Sequence, residues 1–257
     1  MARKLEMASL AAFAAALVGI ALYAISLRAD HRVVLAEYAT TLRGRSATQK
    51  HNAALAARAL DGRVIQPERA FSYNEAVGPW TADRGYKRAP VSYDGELLMA
   101  WGGGVCQTST TLYNAAMLAG LEVVERHRHA WPPRYVAPGR DAAVAYPTID
   151  LVLRNPYPWP VRLSVGVRGD SLVARVLGRE NLPAAISVRE ELRSVVRPDD
   201  VLVVGDGEGD HRVVSRGHFG FDVAVYRTFR RDGRLLRCEL ISADHYPARN
   251  RVVMVGR

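Results

Sequence analysis

Three consecutive glycines, Gly102 to Gly104, stand just ahead of a cysteine and a run of small residues, and no other stretch restricts the local backbone so tightly. Glycine loses the most chain entropy inside a helix or strand, so the triplet predicts a tight loop with positive φ or a close backbone approach. A helix should begin directly after it. Leu112, Ala115, Ala116, Leu118 and Ala119 recur at helical spacing, Thr108 to Thr111 cap or face the first turn, and Gly120 supplies the stop. Cys106 is thereby placed at or just before a helix N-terminus. Unpaired amides and the helix dipole favour negative charge there and lower a thiol's pKa from about 8.5.

A thiolate is a nucleophile, whereas a structural cysteine fills a gap under the helix or forms half of a disulfide. The residues downstream bear on that choice. Leu121 to Val124 reads as a strand, followed by Glu125-Arg126-His127-Arg128-His129. A helix, turn and strand can bring an imidazole back beside the glycine loop, and a base aimed at the thiol is what cysteine nucleophile chemistry needs. Asp141 either orients such an imidazole or caps a turn.

These residues resemble the VanW family, named for an accessory protein found with some vancomycin-resistance gene clusters. The resemblance runs through Leu35 to Thr41, Asn52, Leu60 to Pro67, Phe71 to Asn74, Val77-Gly78, Gly85 to Lys87 and Ala89-Pro90. It centres on the glycine-cysteine-helix block, then takes in Glu125 to His129, Tyr135 to Ala142, Ile149 to Leu151 and Asn155. Two departures are Glu68 after Pro67, where the pattern has glycine, and Trp131-Pro132-Pro133 after the second histidine. The resemblance implies an association with the bacterial envelope and no established reaction. The candidate catalytic set is Cys106, His127, His129 and Asp141. The candidate substrate-binding set is Gly102, Gly103, Gly104, Gln107, Ser109, Thr110, Tyr113, Asn114 and Arg126. The partner expected is a cell-wall polymer or a peptidoglycan precursor.

The 257 residues are 49% hydrophobic, enough for a packed core in one large or two modest domains. The net charge of +9 suits anionic polymers or lipid head groups. A nucleic-acid partner is not expected, since there is no zinc-finger spacing, RNA-binding aromatic signature or recognition-helix pattern. No metal or cofactor is expected either: the histidines lack further ligands at metal spacing, and phosphate-loop and dinucleotide fingerprints are absent. Met7 to Leu27 is uncharged and apolar. At about 1.5 Å per residue it is long enough to cross roughly 30 Å of hydrocarbon. It reads as an uncleaved anchor in preference to a cleaved signal peptide or a buried helix, giving a single-pass protein of the cytoplasmic membrane; the flanking charges do not set its orientation, and the family resemblance implies that residues 28 to 257 lie outside.

Ser46 to Leu60 reads as an amphipathic helix capped by Thr48, and Phe71 to Asp94 as loops whose Tyr73, Trp80, Tyr86 and Tyr93 either stack on sugars or pack a core. From Ile149 the pattern turns to strands, with a hairpin at Gly169-Asp170. Five further strands follow Gly178, with Cys238 in one of them as a buried free thiol. Arg227, Arg230, Arg231, Arg234 and Arg237 surround the Asp232-Gly233 turn. They either protect a strand edge or bind an acidic polymer or membrane surface. The expected fold class is α+β: an N-terminal membrane anchor over 1–30, a mixed α+β domain over 31–178 and a β-rich module over 179–257. Two functions fit, a cysteine enzyme performing acyl transfer or amide hydrolysis on peptidoglycan or its precursors, and a non-catalytic wall-binding or scaffold protein.

Overall fold

Alternating side chains on either side of the Gly169-Asp170 turn pair β8 (Val161–Arg168) with β9 (Ser171–Gly178), and their inward residues Val161, Leu163, Val165, Leu172, Ala174 and Val176 are buried. In this computed structural model, which describes residues 33–93, 96–205 and 212–256, that hairpin forms the centre of a four-stranded sheet. β1 (Val33–Thr41) flanks it on one side and β2 (Val64–Ile65) on the other. Helix α1 (Ala47–Leu60) starts at Ser46, whose side chain accepts from the Gln49 amide while Gln49 reaches back to the Ser46 amide. That reciprocal pair satisfies two orphan donors, so Ser46 and not Thr48 is the cap. Helix α3 (Val105–Leu118) packs against α1, β1 and β9, and its small residues Ala115, Ala116 and Ala119 allow the close approach.

Between these elements lie β3 (Ala70–Ser72), the short helix α2 (Tyr73–Val77) and a hairpin of β4 (Arg88–Tyr93) and β5 (Glu96–Trp101) that leads into the glycine triplet. β6 (Glu122–Glu125) and β7 (Val152–Arg154) join β3 in a three-stranded sheet. Tyr73 and Tyr86 are core residues, so they are not a stacking platform.

The C-terminal part is built on β10 (Ala185–Val196), β13 (Gly220–Arg231) and β14 (Arg234–Tyr246), an antiparallel sheet of long strands. A smaller sheet holds β11 (Asp200–Gly205), β12 (Arg212–Ser215) and β15 (Arg251–Gly256), with β11 and β15 parallel. Val223, Ala224, Val225 and Tyr246 are buried.

Three further expectations are corrected. The described residues hold fifteen strands and three helices, so the fold is mostly β and not α+β. Only two helices exceed one or two turns, and 185–196, given no element from its sequence, is a twelve-residue strand. The single-pass membrane placement is not supported either: among the described residues no helix is long and apolar enough to cross a membrane. The run Met7 to Leu27 lies outside the described residues. Cys238 is exposed, contrary to the buried position expected from its leucine neighbours, because Leu235, Leu236 and Leu240 are exposed on the same strand.

Candidate functional site

The glycine triplet is wedged where side chains do not fit. A Cβ on Gly104 would lie 2.3 Å from the Gln49 carbonyl, one on Gly103 2.6 Å from the Pro90 carbonyl, and one on Gly102 2.9 Å from Trp80. Gly104 is the N-cap of α3 with φ 111°, and the Asn52 amide donates to the Gly103 carbonyl at 3.0 Å. The triplet is thus locked between α1, Trp80 and the β4–β5 hairpin. Cys106 is the second residue of the helix that follows.

Helix α3 is unusual in burying its polar face. Gln107 donates to the Thr41 carbonyl at 2.8 Å and to Thr40 Oγ1 at 3.0 Å, tying the first turn to β1. Ser109 Oγ donates to the Ala142 carbonyl at 2.6 Å, and Thr110 Oγ1 accepts from the Ala142 amide at 3.0 Å. Asn114 holds the Arg140 carbonyl at 2.8 Å, and Arg140 Nε returns a bond to Asn114 Oδ1 at 2.5 Å. These bonds fasten residues 140–142 along the helix, which sets Asp141 beside its start. Ser109, Thr110 and Asn114, expected to bind substrate, therefore lie inside and position a loop. Tyr113 is likewise buried, with the Arg126 guanidinium 5.6 Å from its ring centroid.

Asp141 is fully buried and has four donors. The His129 amide and Nδ1 each lie 2.6 Å from Oδ2, while Tyr246 Oη at 2.6 Å and an Arg126 nitrogen at 3.1 Å approach Oδ1. Burial alone raises the Asp141 pKa, but His129 and then Arg126 outweigh it and hold the group below the usual carboxylate range. Arg126 is itself consumed. It grips Asp244 of β14 through bonds of 2.7 and 2.6 Å and donates to the Asp141 carbonyl at 2.7 Å, with a side chain only 6% exposed. It holds Asp141 in place and does not face solvent.

With Nδ1 committed to Asp141, Nε2 is the nitrogen left for Cys106. Burial raises the thiol's pKa, yet the hydrogen bond from His129 and its charge more than offset this, and the net shift is downward. Burial lowers the imidazole's pKa, while Asp141 and then Cys106 push it up to about 10. Both shifts favour the thiolate–imidazolium form of the pair over the neutral one. Sγ also lies 3.4 Å from the Val144 carbonyl.

Three of the four candidate catalytic residues are therefore together. His127 is not among them: β6 ends at Glu125, and His127 turns outward with Nε2 2.9 Å from Glu125 Oε1. Tyr246 and Asp244, from a strand more than a hundred residues away, escaped the sequence reading. No local signal marks them. Among the described residues no group of three or more His, Cys, Asp or Glu is placed to hold a metal. Cavities of about 480 and 410 Å³ are lined by other residues and do not include Cys106.

Known proteins are similar to parts of this chain. An uncharacterized protein of Bacillus subtilis (strain 168), YoaR, is 40% identical over 139 residues, covering 54% of this chain and 46% of the relative. The vancomycin B-type resistance protein VanW of Enterococcus faecalis (strain ATCC 700802 / V583) is 28% identical over 130 residues, covering 49% and 47%. The chain thus spans just under half the length of either relative. Two solved structures, HP0197-G5 and an IgA1 protease G5 domain, cover 29% and 30% of the chain at 18% and 22% identity. All of the first and 94% of the second are covered, with TM-scores of 0.19 and 0.23. A family model described as VanW like protein matches residues 48–177, from the start of α1 to the end of β9 and over half of the sequence, and the chain belongs to the VanW family.

Proposed function

We propose that the protein is a cysteine-dependent enzyme of the cell envelope that cleaves or transfers an amide-linked acyl group of peptidoglycan or its precursors. The observation that carries this reading is the chain Cys106–His129–Asp141 at the start of α3, with the sulfur's pKa lowered and the imidazole's raised. The Cys106 thiolate attacks the carbonyl carbon, whose π electrons move to oxygen. Collapse of that intermediate expels the amine, which takes the proton from His129 Nε2, and leaves a thioester on Sγ. His129, now neutral, removes a proton from water or an acceptor amine as that nucleophile attacks the thioester, and the thiolate departs. Asp141 keeps Nδ1 protonated and the ring oriented throughout, as the third member of such a set does. The envelope substrate rests on family membership and on a relative named for vancomycin resistance.

Defined muropeptides incubated with wild-type protein and with Cys106→Ala, followed by mass spectrometry, test the reading. Products formed only by the wild type support it. The bond from Cys106 Sγ to the Val144 carbonyl at 3.4 Å favours a second reading, a non-catalytic wall-polymer-binding protein. In that case neither protein changes the muropeptides, and both sediment equally with insoluble wall material.

A further inference from the structure

The second cavity, of about 410 Å³, lies at the opposite end of α3 from Cys106, and falls within the 300–1,000 Å³ usual for small-molecule sites. Gly120 forms part of its wall. A Cβ there would lie 2.5 Å from the Tyr157 hydroxyl and 2.9 Å from Ile186 Cδ1, so the absence of a side chain at residue 120 lets these two wall residues close on the backbone. The walls are otherwise apolar: Tyr157, stacked on Trp159 at 4.5 Å, with Ile186, Phe229 and Leu236. The single hydroxyl among them is spent, since Tyr157 donates to the Ala119 carbonyl at 2.7 Å.

Two arginines complete the lining. Arg231 is held by its Nε on the Pro183 carbonyl at 2.8 Å and has no carboxylate partner among the described residues. Arg237 lies 4.2 Å from the Phe229 ring centroid and pairs with Glu239 at 3.0 Å. Glu239 is shared, as Arg227 binds it at 2.8 Å. Arg230 and Arg234 add charge beside the turn, against only Asp232. The mouth is therefore a cationic rim on an apolar hole. An uncharged polyol gains little there, because the walls offer no free acceptor side chain. A fully hydrated small anion gains nothing from the apolar surface.

We propose that this cavity binds an amphipathic anion, with its apolar body between Tyr157, Ile186, Phe229 and Leu236 and its carboxylate or phosphate on Arg231 and Arg237. The guanidinium fork suits either head group. The site is separate from the cysteine, at roughly 20 Å along fourteen residues of helix.

Calorimetric titration of the full chain with octanoate, octyl phosphate, octanol and inorganic phosphate tests this, and the first two arms identify the head group. At least one of the two anionic amphiphiles should bind with a Kd below about 1 mM, at least tenfold tighter than octanol or inorganic phosphate. The double variant Arg231→Gln/Arg237→Gln should weaken that binding at least tenfold. Ala184→Phe, which fills the cavity and leaves both arginines, should do the same, and alkylation of Cys106 should be unchanged in both. Octanol binding as tightly as the anions, undiminished binding by the double variant, or no binding of either anionic amphiphile would overturn the proposal.

Discussion

At the scale of single residues, the proposed chemistry rests on who shares the protons of Cys106, His129 and Asp141. Iodoacetamide should modify Cys106 at pH 7 faster than an ordinary thiol, and His129→Ala should slow that modification at least tenfold, read by peptide mass spectrometry over a pH series. An alkylation profile identical in the two proteins would separate the thiol from the imidazole. Asp141→Asn leaves the buried Arg126 with one carboxylate instead of two and should cost about 3–5 kcal/mol in denaturant unfolding. Tyr246→Phe, which removes one bond to a charged group, should cost about 1.5–3 kcal/mol. The pH dependence follows from the sign of the Asp141 shift. Its folded pKa lies below the unfolded value of about 3.9. Its contribution to stability is complete above that value and is lost as pH falls through the folded pKa. Wild type should therefore lose stability below pH 4 more steeply than Asp141→Asn.

At the scale of elements, the start of α3 is a loop that tolerates no side chain. Gly104→Ala places a Cβ at 2.3 Å from a carbonyl oxygen with φ 111°. Backbone strain and overpacking should together cost at least about 2 kcal/mol, seen as a lower denaturant midpoint. This helix start was legible in the sequence, because glycine punctuation and helical spacing are local signals, although Gly104 caps it with no side-chain bond and Thr108 to Thr111 lie within the helix. The hairpin at Gly169-Asp170 was legible for the same reason. Strand β10 was not. Its Arg189, Glu190, Glu191 and Arg193 hide the alternation, and Glu190 in fact pairs with the nearly buried Arg140 at 2.9 Å. The bonds from Arg126 to Asp141 and Asp244 and from Tyr246 to Asp141 were equally out of reach, since they form only through tertiary register. His127 and His129 could not be told apart from spacing, because the strand stops at Glu125 and the two rings then diverge.

At the scale of the whole molecule, the two cysteines occupy different settings, one partly buried at a helix start and one exposed on β14, and both are free. Peptide mapping without reductant should find no Cys106–Cys238 link. The two ends of α3, the best buried of the described helices, are also held by different parts of the protein. The glycine loop fixes its start, while Arg227 of β13 donates to the Met117 and Leu121 carbonyls at its finish, at 3.3 and 2.7 Å. Cationic charge there complements the helix dipole. Asp244 and Tyr246, which clamp Arg126 and Asp141, come from the same sheet and lie beyond the stretch 48–177 that the family model matches. A fragment cut at the edge of that match would thus leave a buried carboxylate and a buried guanidinium each short of a partner. Boundaries drawn from shared ancestry and boundaries of this hydrogen-bonded cluster do not coincide in this chain, so an expression library trimmed to the former would assay Cys106 without the residues that hold Asp141 and Arg126 in place.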